Sequence, residues 1–170
     1  MKQLIGIGIF LLGLNWQGIT GEWQPDTRLL RAVRHVESGG GVFVYGDAGL
    51  SLGDFQIRRG AWSDVSNWRK ARGLKVYEYD AFVYHKFINR TYAANYLSIL
   101  YTQLERQFRR APSSAELYAA YNMGLTTFGD KCNFDLRRVN AVTARKCDQI
   151  QQMVETQMVA VNNKSTRQLN

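Results

Sequence analysis

The chain has few of the residues that break, bridge or ligate. Only two prolines occur in 170 residues, and there is no low-complexity run and no internal repeat, so no linker divides it and one domain with a real core is expected. Its two histidines, His35 and His85, are isolated, and neither a CxxC nor an HExxH spacing is present. The usual zinc patterns are therefore excluded, and neither a metal nor a cofactor is expected. Long tracts of one charge are also missing. The net charge is +8, yet the basic residues are dispersed, with only short pairs such as Arg58-Arg59, Arg109-Arg110 and Arg137-Arg138. That dispersal speaks against a dedicated nucleic-acid binder, while a basic balance suits an acidic polymer or an anionic surface. The 45% hydrophobic and 12% aromatic content excludes a disordered chain.

What is present begins at the N-terminus. Met1-Lys2 followed by an apolar run from Leu4 to Leu14 has the layout of a secretory signal, too short for a membrane span. No Ala-x-Ala marks a cleavage site, and Gly18 to Gly21 is the expected neighbourhood; an uncleaved anchor is the alternative. The expected division is a leader over 1–21, one domain over 22–162 and a polar tail over 163–170, secreted or periplasmic, with no membrane span in the mature chain. In an exported protein an even cysteine count predicts a disulfide, here between Cys132 and Cys147.

Hydrophobic periodicity predicts a mostly α domain. A helix runs from Asp26, its N-cap, to Glu37. Val42 to Tyr45 reads as a short strand and Gly46-Asp47-Ala48-Gly49 as a turn. A long helix is expected from Ala81 to about Arg109. Another starts at Ser113-Ser114-Ala115-Glu116 with capping residues and breaks at Gly124, and a last one spans Val139 to about Val161.

Glu37 stands out. Leu29, Leu30, Val33 and Val36 give the preceding helix one buried face, and Gly39-Gly40-Gly41 stop it. A carboxylate there meets the negative end of the helix dipole and partial burial, both of which disfavour its charged form and suit a general acid. The plain alternative is a solvated glutamate at a helix end.

Three segments in order resemble the lysozyme-like lytic transglycosylases of the soluble, Slt type. They are Glu37-Ser38-Gly39, Leu52-Gly53-Asp54-Phe55-Gln56-Ile57 and Ala120-Tyr121-Asn122-Met123-Gly124. Asn89 to Leu97 also looks like the family's helix before the third motif. The resemblance covers roughly Leu29 to Phe128 and implies an α+β lysozyme-like fold, with a helical body and a small β or loop region after the catalytic helix. It implies that Glu37 is the acid/base and that Ser38, Gln56, Tyr121 and Asn122 bind substrate, Tyr121 reaching toward the carboxylate. The implied partner is a peptidoglycan glycan strand. The implied reaction breaks the β-1,4 bond between N-acetylmuramic acid and N-acetylglucosamine and closes a 1,6-anhydro ring without water, which needs one carboxylate.

The departures from that pattern open a second route. Asp54 stands where the family has an apolar residue, and Asp47 lies in the glycine-rich loop. The run from Asp47 to Trp62-Ser63-Asp64 is locally similar to invertebrate-type lysozymes, although those are rich in cysteine. Either Asp47 or Asp54 facing Glu37 would allow hydrolysis by two carboxylates, whereas Asp47 in a Gly-Asp-Ala-Gly turn also has a purely structural use. Tyr45, Phe55, Trp62 and Tyr121 are sugar-subsite or core aromatics. A non-catalytic glycan-binding module remains the alternative from outside the enzymes.

Overall fold

The computed structural model describes residues 22–167, without the side chains of Asp47 and of 157–167. The expected leader over 1–21 lies outside the described residues. Seven α-helices and a small antiparallel sheet follow one another: α1 (Thr27–Ser38), β1 (Tyr45–Gly46), a 3-10 turn (Asp47–Gly49), β2 (Ser51–Leu52), β3 (Ile57–Arg58), α2 (Arg59–Lys70), α3 (Tyr79–Phe82), α4 (Lys86–Phe108), α5 (Ser114–Met123), α6 (Leu125–Cys132), a 3-10 turn (Leu136–Arg138) and α7 (Ala141–Arg167). The domain is mostly helical, with a three-stranded sheet in the order β1-β2-β3. Its register pairs Tyr45 with Leu52 and Ser51 with Arg58.

Local chemistry sets the helix ends. Asp26 caps α1 by accepting from the Leu29 amide at 2.8 Å, and Gly39, at φ +60°, closes it by donating to the His35 carbonyl. Ser113 and Glu116 form a reciprocal capping box at the start of α5. The core helix is α5. Ala115, Leu117, Tyr118, Ala119, Ala120 and Tyr121 are all buried, because α4, α6 and α7 pack around it. α1 lies against α7, and α2 against α4. Trp62 of α2 stacks on Tyr92 of α4, ring centres 3.7 Å apart, and its Nε1 donates to the Tyr77 carbonyl.

Several boundaries differ from those expected. The segment after α1 does not extend at Val42, because the amides of Gly41, Val42 and Phe43 all donate to the Ser38 carbonyl. The chain curls over the helix end, and the strand starts only at Tyr45. The helix expected from Ala81 is two pieces, since His85 is extended, accepts from the Ile88 amide and so begins α4 anew. The last helix starts at Ala141, after Asn140 has accepted from the Val142 and Thr143 amides, and continues to Arg167. Among the described residues no helix is long and apolar enough to cross a membrane.

The expected disulfide is absent. Cys132 and Cys147 are both buried free thiols. They face different neighbours: Cys132 Sγ donates to the Arg138 carbonyl at 3.5 Å, while Cys147, on α7, lies near Tyr118. Burial, then the Asp148 charge, pushes the Cys147 thiol up to about 12. Each cysteine serves as a small apolar filler where helices meet. Thiol titration is expected to find both cysteines only after denaturation. A reductant should leave Tm unchanged, whereas opening a native bridge would cost about 2–5 kcal/mol.

Candidate active site

A cleft of about 420 Å³ opens between the sheet with the start of α2 on one side and the ends of α1 and α5 with α7 on the other. Its lining includes Glu37, Gln56, Tyr121 and Asn122, four residues drawn from three separate sequence segments. Glu37 sits in the last turn of α1 with 7% of its side chain exposed. A carboxyl removed from water this far needs partners, and it has two. The Tyr118 hydroxyl donates to Oε1, and the Lys146 ammonium of α7 stands 3.5 Å from Oε2. Oε1 therefore faces the phenol and Oε2 the ammonium.

Tyr118 does what the resemblance implied for Tyr121. Tyr121 lies one turn later on α5, and its hydroxyl donates to the Phe55 carbonyl at 2.7 Å. Both phenols are held protonated. Burial, followed by the Glu37 charge, moves each well above the usual tyrosine range. Burial, then the charge of Asp64, pushes neighbouring Tyr96 up to about 12.

Gln56 lines the cleft from a left-handed backbone, φ +48°. Its Nε2 donates to the Gly53 carbonyl at 2.8 Å and the Phe43 carbonyl at 3.2 Å, so the amide braces the loop it occupies. Asn122 Oδ1 accepts from Thr143 Oγ1 at 3.0 Å and joins α5 to α7 at the cleft edge. Ser38 is not at the surface of the cleft. It is 1% exposed, donates to the Asp54 carbonyl at 2.7 Å and accepts from the Gly41 amide. Its work is to hold the loop to the helix end.

Of the two carboxylates offered by the sequence, only that of Asp54 lies among the described side chains. Asp54 is buried, pairs with Arg34 Nε at 2.8 Å and lines a second cavity beside α4. The Asp47 side chain lies outside the described residues; its backbone opens the 3-10 turn between β1 and β2. The cleft instead contains Asp64 of α2, an exposed residue that the Trp-x-Asp spacing had flagged only by likeness. Lys146 had no sequence signal at all. Tyr118 had a weak one, being three residues before Tyr121 and so on the same helix face. Of the candidate aromatics, Phe55 and Trp62 are core, whereas Tyr45 is exposed and leans on Tyr84 with ring centres 5.5 Å apart.

No group of histidine, cysteine or carboxylate side chains among the described residues is arranged to hold a metal ion. No protein-family model, no characterised protein and no solved structure matches the chain.

Two measurements test this geometry. Tyr118→Phe keeps the ring but strips Glu37 Oε1 of its donor, and should cost about 2 kcal/mol in urea denaturation, against about 1 kcal/mol for Tyr121→Phe, which frees a neutral carbonyl. In alkaline titration, the buried phenols should hold their protons beyond the ordinary value of 10.0, Tyr96 to about 12. The folded state then binds these protons more tightly than the unfolded one. Stability present below pH 10 is accordingly lost as pH rises through 12, visible as a falling Tm across that window.

Proposed function

We propose that this protein cleaves the β-1,4 bond between N-acetylmuramic acid and N-acetylglucosamine in peptidoglycan, with Glu37 as the single acid/base and a 1,6-anhydro sugar as product. The observation that carries the reading is one buried carboxyl, fixed by Tyr118 and facing Lys146, inside a cleft that also gathers Gln56 and Asn122. A lysozyme-like fold and a secreted or periplasmic location belong to the same reading, supported by the ordered motifs and by the N-terminal pattern of the sequence.

The chemistry follows from the two carboxyl oxygens. Glu37 gives its proton to the leaving glycosidic oxygen as the sugar becomes oxocarbenium-like. The carboxylate left behind is compensated by the Tyr118 hydroxyl and the Lys146 ammonium, so charge develops where preformed donors already stand. The same carboxylate then accepts the proton of the C6 hydroxyl as that oxygen closes on C1. Gln56 and Tyr121 act on this step through the loop they hold, keeping the wall of the cleft at fixed distance from Glu37.

A second reading is favoured by one observation. Asp64 shares the cleft with Glu37, and a carboxylate on the opposite wall could activate water for hydrolysis. Asp54 has no such role, being bound to Arg34 in another cavity. Digestion of purified peptidoglycan separates the two readings. Glu37→Gln should lower release of soluble muropeptides about a thousandfold. Products lighter by one water than hydrolytic ones, with Asp64→Asn near wild type, are the expected result. Reducing-end products that vanish with Asp64→Asn would replace it by a hydrolase, and no release by wild type would leave a glycan-binding module.

A further inference from the structure

The dispersal of basic residues along the sequence does not persist in space. Behind the loop that carries Gln56 lies a second cavity of about 440 Å³, formed where α1 meets the start of α4. α1 contributes Arg31 and Arg34 on one face, and α4 contributes Lys86 and Arg90, one turn apart. Leu30 and Phe55, both buried, line its apolar side, and Phe87 stands at its rim with 72% of its surface exposed. Among the described lining residues the one carboxylate, Asp54, is already bound to Arg34. Among the described residues no acid pairs with Arg31, Lys86 or Arg90. Elsewhere on the molecule, Arg28, Arg59, Arg72, Arg110 and Arg137 each hold a carboxylate.

From this we infer a second binding site, for oxyanion groups carried on a sugar polymer. Three uncompensated cations around a concavity attract such groups and cost little to leave hydrated when the site is empty. Arginine forks suit a planar carboxylate or a phosphodiester, and an exposed ring beside them suits the apolar face of a sugar. The cavity shares a wall with the Glu37 cleft. Phe55 lines one side and Gln56 the other. The identity of the polymer as cell wall rests on the function proposed above; the anion site itself does not. Two sources supply the anion in a wall, the carboxylates of its peptides and the phosphodiesters of polymers attached to it.

The test measures binding, independently of turnover. Full-length Glu37→Gln protein is sedimented with insoluble peptidoglycan, either retaining its phosphate polymers or stripped of them by acid. Adding Arg31→Gln and Arg90→Gln should lower the bound fraction about tenfold at moderate salt, with Tm unchanged. A loss confined to the phosphate-bearing wall identifies phosphodiesters, and a loss on both identifies peptide carboxylates. Adding Arg106→Gln and Lys131→Gln instead, two exposed cations outside the cavity, should have little effect. Equal loss with that pair, or none with Arg31 and Arg90, overturns the site. Retention on duplex DNA but on neither wall, abolished by the same pair, would overturn the sugar polymer in favour of nucleic acid. The product masses obtained with wild type decide the cleft reaction separately, so either proposal can fail alone.

Discussion

The hydrogen bond from Tyr118 to Glu37 is the constraint around which the rest is arranged. It joins the most buried helix to the end of α1 and gives a carboxyl that has almost no water a fixed partner. Without it, one oxygen of Glu37 would be buried unmet, at a cost comparable to a large share of the stability of a domain this size. The bond also dictates where α1 may stop. The helix must deliver Glu37 to α5 in its last turn and then leave at once, which it does through Gly39 in the left-handed conformation.

From there the fold is a matter of holding a loop with few strand hydrogen bonds. The sheet is three strands of two residues each, too little to stand alone. Side chains supply the missing order. Ser38 links the helix end to the Asp54 backbone, Tyr121 grips the Phe55 carbonyl, Asn89 accepts from the Phe55 amide, and Gln56 closes the loop on Gly53 and Phe43. Gly41 is needed for a related reason. At φ +96° it lies so close to the Arg34 guanidinium that a Cβ would meet it at 2.5 Å, so any larger residue would press on the Arg34–Asp54 pair. These buried polar contacts fix both walls of the cleft from outside it.

How much of this was readable divides along the range of the interaction. Asp26, Gly39, Ser113 with Glu116 and Gly124 announced helix ends because capping involves residues three or four apart. Glu37, Gln56, Tyr121 and Asn122 could be brought to one cleft by motif order. One failure was local: the Val42 side chain suits a strand, yet the Ser38 carbonyl four residues earlier captures its amide. The other failures were longer in range. The cysteine pair suggested a bridge by count alone, but separate helical surroundings turned the thiols to different partners. Tyr118 and Tyr121 occupy one face of one helix, and only the position of α1 decides which phenol meets the carboxyl. Lys146 arrives from α7 purely through packing.

Asp54 lies away from the cleft and lines the second cavity instead. As a carboxylate in a motif that usually carries an apolar residue, it looked like a second catalytic acid. Its ion pair with Arg34 instead puts it on the far side of the segment that bears Gln56. Arg34 is one turn before Glu37 on α1, and Asp54 is two residues before Gln56, so the pair braces the partition between the two cavities from behind. Binding energy from an anion beside Arg34 would fall on that partition, whose other face carries Gln56 of the cleft. An ion pair with its arginine partly in water adds little net stability. Its value here is positional, because it couples the helix that ends in Glu37 to the loop that faces it.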